Sequence, residues 1–165
     1  ASDDYTLWGP FALACFFVAT FMGGCSGSTT GGIKAYRFLI VFELMVNGLR
    51  RLIYPSMVLP VRYGDRTVGD DMQRAVVLFI SSFFMLWAIF TVLLGATGLD
   101  FITAVTGALT SLTNVGPGLG TVIGPLGNFS SLPDSAKWIC SAAMLLGRLE
   151  ILAVLVIFTP VFWSR

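Results

Sequence analysis

The stretch from Thr113 to Gly118 reads Thr-Asn-Val-Gly-Pro-Gly, and these residue types suit the coordination of a cation. A cation that has shed its water needs a ladder of inward-pointing oxygens, which backbone carbonyls can supply. Glycine favours such a ladder because it adopts backbone conformations that strain other residues. We therefore predict an ion filter made of Thr113, Asn114, Val115, Gly116, Pro117 and Gly118, with the cation at Asn114, Val115 and Gly116. The alternative is an ordinary extracellular turn.

The position of this stretch favours the filter over the turn. The potassium-channel filter TVGYG follows a short pore helix. Here the residues 101–112 are apolar or small and long enough for half a membrane span only, and a Gly- and Pro-rich return follows them. Asn stands in place of the first Thr, and Pro in place of Tyr. We therefore predict a pore half-helix over 101–112 and a filter loop over 113–120.

A second unusual stretch, residues 23–32, contains five glycines among ten residues. A continuous helix would lose about 1 kcal/mol at each glycine, so we predict two apolar helices, 7–22 and 33–46, joined by a non-helical loop. Such a loop survives at membrane depth only if it is buried in protein or lines a watery cavity. We interpret it as a gate formed by Gly23, Gly24, Gly27, Ser28, Thr29, Thr30, Gly31 and Gly32. The alternative is a static break that permits tight helix packing.

Arg148 lies within the last apolar stretch, which we predict to be a membrane helix over 137–163. It is about 16 Å along that helix from Lys137, near the middle of the bilayer. An arginine there costs about 2.5–3.5 kcal/mol on insertion scales, so it usually faces a cavity or a partner. We predict that Arg148 faces the pore and adds a charge barrier to the gate. The alternative is a structural pair with Glu150, but residues two apart do not share a helix face.

The composition places these motifs in a membrane protein. Apolar residues make up 56% of the 165 residues and charged residues only 12%, whereas soluble proteins have about 25% charged residues. This excludes a disordered chain, a nucleic-acid binder and a disulfide-stapled secreted module. The run Ala75–Thr97 carries no charge and would extend about 34 Å as a helix, enough to cross a bilayer.

The distribution of basic residues predicts the orientation. Seven Lys and Arg lie within 34–74 and none within 98–136. Because basic loops stay in the cytoplasm, the segment 47–74 is expected inside, 98–136 outside, the N-terminus outside and the C-terminus inside. The predicted fold is an all-α membrane protein with a re-entrant pore half-helix and one helix broken by the glycine loop. The chain starts at Ala1 without Met, so we expect a fragment.

Three motifs resemble one known family, and they occur in the family's order. The segment 23–34, GGCSGSTTGGIK, resembles the intramembrane loop of the Trk/Ktr/HKT potassium transporters. The segment 113–120, TNVGPGLG, resembles the last filter segment of the bacterial Trk-H and Trk-G type of pore subunit. Gly147-Arg148-Leu149-Glu150, with Thr159-Pro160 further on, resembles their final helix.

This resemblance implies an architecture and a function. Members of the family arrange four repeats of helix, pore half-helix and helix around one pore. Residues 1–53 would be the second membrane helix of the third repeat, 54–74 a cytoplasmic linker, and 75–165 the fourth repeat. The implied function is gated potassium uptake across the bacterial inner membrane, with potassium as transported substrate and no organic cofactor in this chain. The implied partners are the lipid bilayer, a second copy in a homodimer, and a cytoplasmic ring of nucleotide-binding regulatory subunits.

Two other functions remain open from the residues. A broken-helix secondary transporter of another small solute would need a discrete substrate site at mid-membrane. A non-transporting membrane assembly subunit would have no conductance. An enzyme is the least expected, because the chain has no His and shows neither paired carboxylates nor an activated nucleophile.

Overall fold

The computed structural model describes residues 8–24, 31–54, 60–64, 66–120, 122–124, 127–149, 151, 156 and 163. Within these residues the chain forms α1 (Pro10–Met22), α2 (Ala35–Ile53), β1 (Arg62–Tyr63), β2 (Arg66–Thr67), α3 (Asp70–Ala96), α4 (Phe101–Thr113) and α5 (Asp134–Arg148), with a short 3₁₀ turn at Phe129–Ser131.

The longest helix is α3, with 27 residues and a length of about 40 Å. Among the described helices it alone is long and apolar enough to cross a membrane. It starts at Asp70, five positions before the predicted start at Ala75. Asp70 and Asp71 lie in the first turn, where negative charge is favourable next to the unpaired N–H groups. The apolar run therefore corresponds to the part of the helix predicted to cross the membrane, and the helix itself begins before that run.

The glycine segment separates α1 from α2, and its two ends meet. Helix α1 has Pro10 in its first turn, a position that needs no N–H donor. It ends at Met22, and Gly23, the residue that follows, has a φ of 62°. The Ala35 N–H at the start of α2 donates to the Gly24 carbonyl at 3.4 Å. Residues 25–30 lie outside the described part of the chain.

Helix α2 extends further than the predicted end at residue 46 and packs on α3. It continues to Ile53 because Arg50 and Arg51 in its last turn stabilise its C-terminal end. The contact with α3 includes the buried Arg37, whose guanidinium lies 3.7 Å from the centroid of the Phe79 ring. This stacking gives the arginine a cation–π partner.

A small hairpin adds strands to a fold predicted to be all-α. Tyr63 pairs with Arg66 in antiparallel register, and Gly64 in the turn has a φ of 60°. The Arg62 N–H donates to Glu43 Oε1 at 3.0 Å, which attaches the hairpin to α2. This hairpin lies within the segment 54–74, which the family resemblance implies to be a cytoplasmic linker.

Helix α4 is the centre of the structure and packs between α3 and α5. Asp100 caps its start by accepting the Thr103 N–H at 3.1 Å. The helix ends at Thr113, one residue beyond the predicted end at 112. Nearly all of it is buried, and Trp87 of α3 donates its indole N–H to the Val105 carbonyl at 3.1 Å. The core around it contains Phe83, Leu94, Ala108, Leu112, Ala136 and Ala143.

Helix α5 starts at Asp134, three residues before the predicted start, and the chain bends at Leu149. Ile151, Val156 and Trp163 are again helical, and the other residues from 150 onwards lie outside the described part. The predicted helix over 137–163 is therefore interrupted at Leu149. Large apolar side chains cover much of the outer surface of the fold, as expected for a surface that faces lipid or other protein rather than water. Examples are Phe42, Val92, Phe101 and Trp138.

Candidate functional site

Residues 114–120 run back along the helix that precedes them. The Val115 N–H donates to the Thr110 carbonyl at 3.2 Å, and the Gly116 N–H donates to Thr110 Oγ1 at 3.1 Å. One helical turn earlier, Thr106 Oγ1 accepts the Leu119 N–H at 3.1 Å. The N–H groups of Val115, Gly116 and Leu119 are therefore bound by α4, whereas the Gly118 N–H donates to the Ile123 carbonyl at 2.8 Å.

The Leu119 carbonyl accepts from Thr106 Oγ1 at 3.1 Å, but the carbonyls in the middle of the segment accept no such bond from the described residues. Within the described part of the chain, no donor binds the carbonyl oxygens of Val115, Gly116 or Pro117, and these three residues are exposed. Gly116 has a φ of 112°, and apart from its chain neighbours no atom of the described residues lies within 4 Å of the position a Cβ would take. Backbone conformation rather than space therefore requires glycine at this position.

The lower end of the segment, where α4 ends, is attached to α5. Asn114 adopts the left-handed conformation that ends α4, and its Nδ2 donates to the Met144 carbonyl at 3.2 Å. One turn further along α5, a Cβ at Gly147 would lie 1.9 Å from the Leu112 carbonyl oxygen. Only glycine fits there, because the neighbour is backbone and cannot move aside.

The described ends of the glycine segment contact the same place. A Cβ at Gly31 would lie 2.9 Å from the Thr113 carbonyl oxygen and 3.1 Å from Asn114 Nδ2. A Cβ at Gly23 would lie 2.7 Å from the Gly31 carbonyl oxygen. The structure thus brings part of the predicted gate against the floor of the predicted filter. Gly24 and Gly32 are also described, whereas the predicted gate residues Gly27, Ser28, Thr29 and Thr30 lie outside the described residues.

Arg148 follows Gly147 and so lies next to this junction. It is exposed at the last position of α5. In the described part of the chain the one ion pair joins Lys137 to Asp134 at 3.0 Å, so Arg148 has no acidic partner there. Glu150, the alternative partner, is outside the described residues.

The sequence motifs missed the residues that hold the segment in place. Thr106 and Thr110 belong to none of those motifs, although threonines recur at positions 103, 106, 110 and 113 of the apolar α4. Spacing of three or four places such residues on one helix face. This spacing was the feature of the sequence that could have identified Thr106 and Thr110. Gly147 belongs to the motif 147–150, but nothing in the sequence indicated its packing role, because that role depends on the approach of α4.

The groups at this site that could bind a cation are backbone oxygens. Among the described residues no group of three or more His, Cys, Asp or Glu could hold a metal ion. Carbonyl oxygens suit hard cations that lose their hydration shell on binding. The arrangement is therefore suited to coordinating such an ion.

Comparison with known proteins identifies the family. Residues 1–165 match the TrkH family model, described as a cation transport protein. The chain is 53% identical over 165 residues to the Trk system potassium uptake protein TrkI of Halomonas elongata, covering 100% of this chain and 34% of the relative. It is 38% identical to the Trk system potassium uptake protein TrkH of Escherichia coli K12, covering 99% of this chain and 33% of that protein.

A solved structure agrees with the sequence relatives. The potassium transporter TrkH from Vibrio parahaemolyticus superposes with a TM-score of 0.87 at 33% identity, covering 97% of this chain and 34% of that chain. The chain thus spans about a third of the length of the relatives it matches. The resemblance found in the three motifs is confirmed: the chain belongs to the TrkH family of cation transport proteins.

Proposed function

We propose that this chain forms part of a potassium-uptake pore and that Thr113–Gly118 is one segment of its filter. One observation carries the proposal: Thr110 binds the N–H groups of Val115 and Gly116, while no donor among the described residues binds the carbonyls of these two residues. Free carbonyls held on a fixed backbone are what a dehydrated cation requires. The names of the relatives, which are potassium uptake proteins, support potassium as the ion.

Helix α4 is proposed to enter the membrane from the outer side, and the filter segment to return to that side. Helix α4 has 13 residues and so extends about 20 Å, short of a full crossing. The segment then runs back to Gly120, which lies beside Thr103 near the start of α4. A single segment supplies only part of an ion's coordination shell. The remaining carbonyls would come from other repeats of the whole protein.

The gate is proposed to lie directly below the filter. Gly31 contacts the carbonyl of Thr113, so an ion leaving the filter would next meet the glycine segment. Arg148 would add a positive charge at this level, which repels a cation. Transport in this scheme makes and breaks no covalent bond. The ion must bind well enough to enter and weakly enough to leave.

The setting of the pore is part of the same proposal. The seven basic residues in 34–74 support a cytoplasmic position for the β1–β2 hairpin and for the adjoining ends of α2 and α3. The N-terminus of the chain would then lie on the outer side of the bacterial inner membrane, and the C-terminus on its cytoplasmic side. The family resemblance supports a homodimer with a cytoplasmic ring of nucleotide-binding regulatory subunits.

The test is rubidium flux into liposomes that contain the full-length parent protein, with sodium as competitor. Gly116→Ala is compared with Gly98→Ala, because both glycines have a positive φ and open space around them, and Gly98 lies outside the filter. We expect Gly116→Ala to reduce discrimination against sodium, Gly98→Ala to preserve it, and Arg148→Ala to raise flux. If none of the three variants changes flux or selectivity, the segment is an ordinary turn and the non-transporting subunit becomes the better description.

A further inference from the structure

Two cavities adjoin where α2, the hairpin and α3 meet. The first has a volume of about 430 Å³ and a mainly apolar lining from Leu44, Gln73, Arg74, Val77, Leu78 and Ser81. The second has a volume of about 420 Å³, and Asn47, Arg51 and Asp70 contribute polar groups to it. Leu44 and Gln73 line both cavities. The pair of adjoining cavities is called here the α2–α3 cleft, with the first cavity as its apolar end and the second as its polar end.

The α2–α3 cleft crosses the boundary between the charged and the uncharged part of α3. Arg74 is the last charged residue of that helix, and everything from Ala75 to Ala96 is uncharged. The edge of the hydrocarbon layer therefore falls near Arg74. The apolar end extends along α3 from Arg74 to Ser81, about 10 Å into that layer. The polar end lies on the headgroup side. This is the arrangement of a phospholipid, with its chain in one part and its headgroup in the other.

The polar end presents charges that have no ionic partner among the described residues. Arg51 and Asp70 are exposed, and neither belongs to an ion pair in the part of the chain that the structure describes. Asn47 is only 7% exposed, and its Nδ2 has no hydrogen-bond partner among the described residues. Gln73 differs, because its side chain donates to the Val68 carbonyl at 2.7 Å. The second cavity thus offers the cation of Arg51, the anion of Asp70 and the amide donor of Asn47 to a ligand. The described residues provide no ionic partner for the two charges and no acceptor for the amide.

We propose that the α2–α3 cleft binds one phospholipid whose headgroup carries both a phosphate and a primary ammonium, as phosphatidylethanolamine does. The phosphate pairs with Arg51, and the ammonium pairs with Asp70. An oxygen of the phosphate or the adjacent ester accepts from Asn47. One acyl chain lies along Val77 and Leu78. The opposite charges of Arg51 and Asp70 select a zwitterion over a purely anionic lipid, and a choline headgroup has no N–H to donate to Asp70.

Each charge also has a simpler role that leaves the cleft unexplained. Asp70 stabilises the N-terminus of α3, and Arg51 stabilises the C-terminus of α2. Neither role accounts for the adjoining cavities or for a buried amide without a described partner. Burial of an amide N–H is unfavourable unless a group in the cavity accepts its hydrogen bond.

The experiment uses native mass spectrometry of the full-length parent protein with equal amounts of phosphatidylethanolamine, phosphatidylglycerol and phosphatidylcholine. Arg51→Gln is compared with Arg50→Gln, and Asp70→Asn with Asp71→Asn, because Arg50 and Asp71 adjoin the tested residues but line neither cavity. We expect Arg51→Gln to lower phosphatidylethanolamine retention about tenfold, as for a lost charge-assisted hydrogen bond. Asp70→Asn should abolish the preference for phosphatidylethanolamine over the other two lipids, and both controls should behave as wild type.

Three results would overturn the proposal. Wild type could retain no lipid, which would mean that another segment of the whole protein fills the cleft. It could retain the three lipids equally, which would mean annular binding only. Arg51→Gln could match Arg50→Gln, which would remove Arg51 from the site. The readout is bound lipid rather than ion flux, so these outcomes are independent of the filter proposal.

Discussion

The side chain of Asn114 donates to the backbone carbonyl of Met144 at 3.2 Å, across 30 positions of sequence. Asn114 therefore has two roles. Its left-handed backbone ends α4, and its amide attaches the start of the filter segment to α5. Few residue types can do both, because asparagine tolerates this conformation better than most residues with a side chain.

Substitutions at Asn114 should separate these two roles. Asn114→Gly keeps the left-handed backbone and loses the amide, whereas Asn114→Ala loses both. We expect Asn114→Gly to preserve most of the stability but reduce discrimination against sodium in the liposome flux assay. Asn114→Ala should be less stable than Asn114→Gly by about 1 kcal/mol, because alanine is strained at this φ. Equal stability and selectivity for wild type and both variants would show that neither role matters.

Thr110 should control the filter through its hydroxyl. Thr110→Val has the same shape but cannot accept the Gly116 N–H, which Thr110 binds at 3.1 Å in the structure. We expect a loss of about 1 kcal/mol in stability and a reduced ratio of rubidium to sodium uptake. Thr110→Ser should restore both, since it keeps the acceptor.

The matched control for that series is Thr91→Val. Thr91 donates to the Trp87 carbonyl of its own helix at 2.8 Å, away from the filter segment. Its replacement should leave the uptake ratio unchanged. A Thr110→Val protein with the selectivity of Thr91→Val would show that the hydroxyl does not position the filter.

Gly147→Ala should force α5 away from α4. The added Cβ would lie 1.9 Å from the Leu112 carbonyl oxygen, so one of the two backbones must shift. Overpacking of this kind costs about 1–3 kcal/mol, which thermal unfolding of the full-length protein in detergent can measure.

Gly48→Ala provides the comparison for that measurement. Gly48 lies within α2, and no described atom lies within 4 Å of the position that a Cβ would take there, so alanine fits without a clash. It should stabilise the helix by about 0.5–1 kcal/mol, because alanine loses less backbone freedom than glycine. The close approach of the two helices would be disproved if both variants unfolded at the same temperature as wild type.

Asp100 should make part of the stability depend on pH. The Thr103 side chain and N–H favour the ionised carboxylate and so lower the pKa of Asp100 in the folded protein. The carboxylate therefore adds stability above the pKa of the unfolded chain, which is about 3.9. This contribution is lost as the pH falls through the lower, folded pKa.

The measurement compares the unfolding temperatures of wild type and Asp100→Asn from pH 7 to pH 3. We expect wild type to be the more stable at pH 7 and the difference to shrink below about pH 4. Asparagine keeps the ability to cap α4 but not the charge, so the comparison isolates the ionisation. A difference that stays constant over this range would remove the carboxylate from the capping interaction.

The charge and hydropathy pattern predicted some elements well because it records which residues avoid water. The half-helix 101–112 was observed as Phe101–Thr113, since Asp100 and the residues after Thr113 set both ends locally. The pattern could not predict the contact of Gly147 with Leu112, because that depends on how two helices approach. It also missed the first turn of α3, since charged residues outside the hydrocarbon layer do not stop a helix.

The contact between Gly31 and the Thr113 carbonyl has a thermodynamic consequence. If Thr113 coordinates the permeating ion, the position of the glycine segment and the occupancy of the filter belong to one linked equilibrium. An ion that favours one orientation of that carbonyl then favours the matching position of the segment. The coupling is reciprocal, so a displacement of the segment changes the affinity for the ion by the same factor. Binding of the ion would thus be coupled to the position of the segment proposed as the gate.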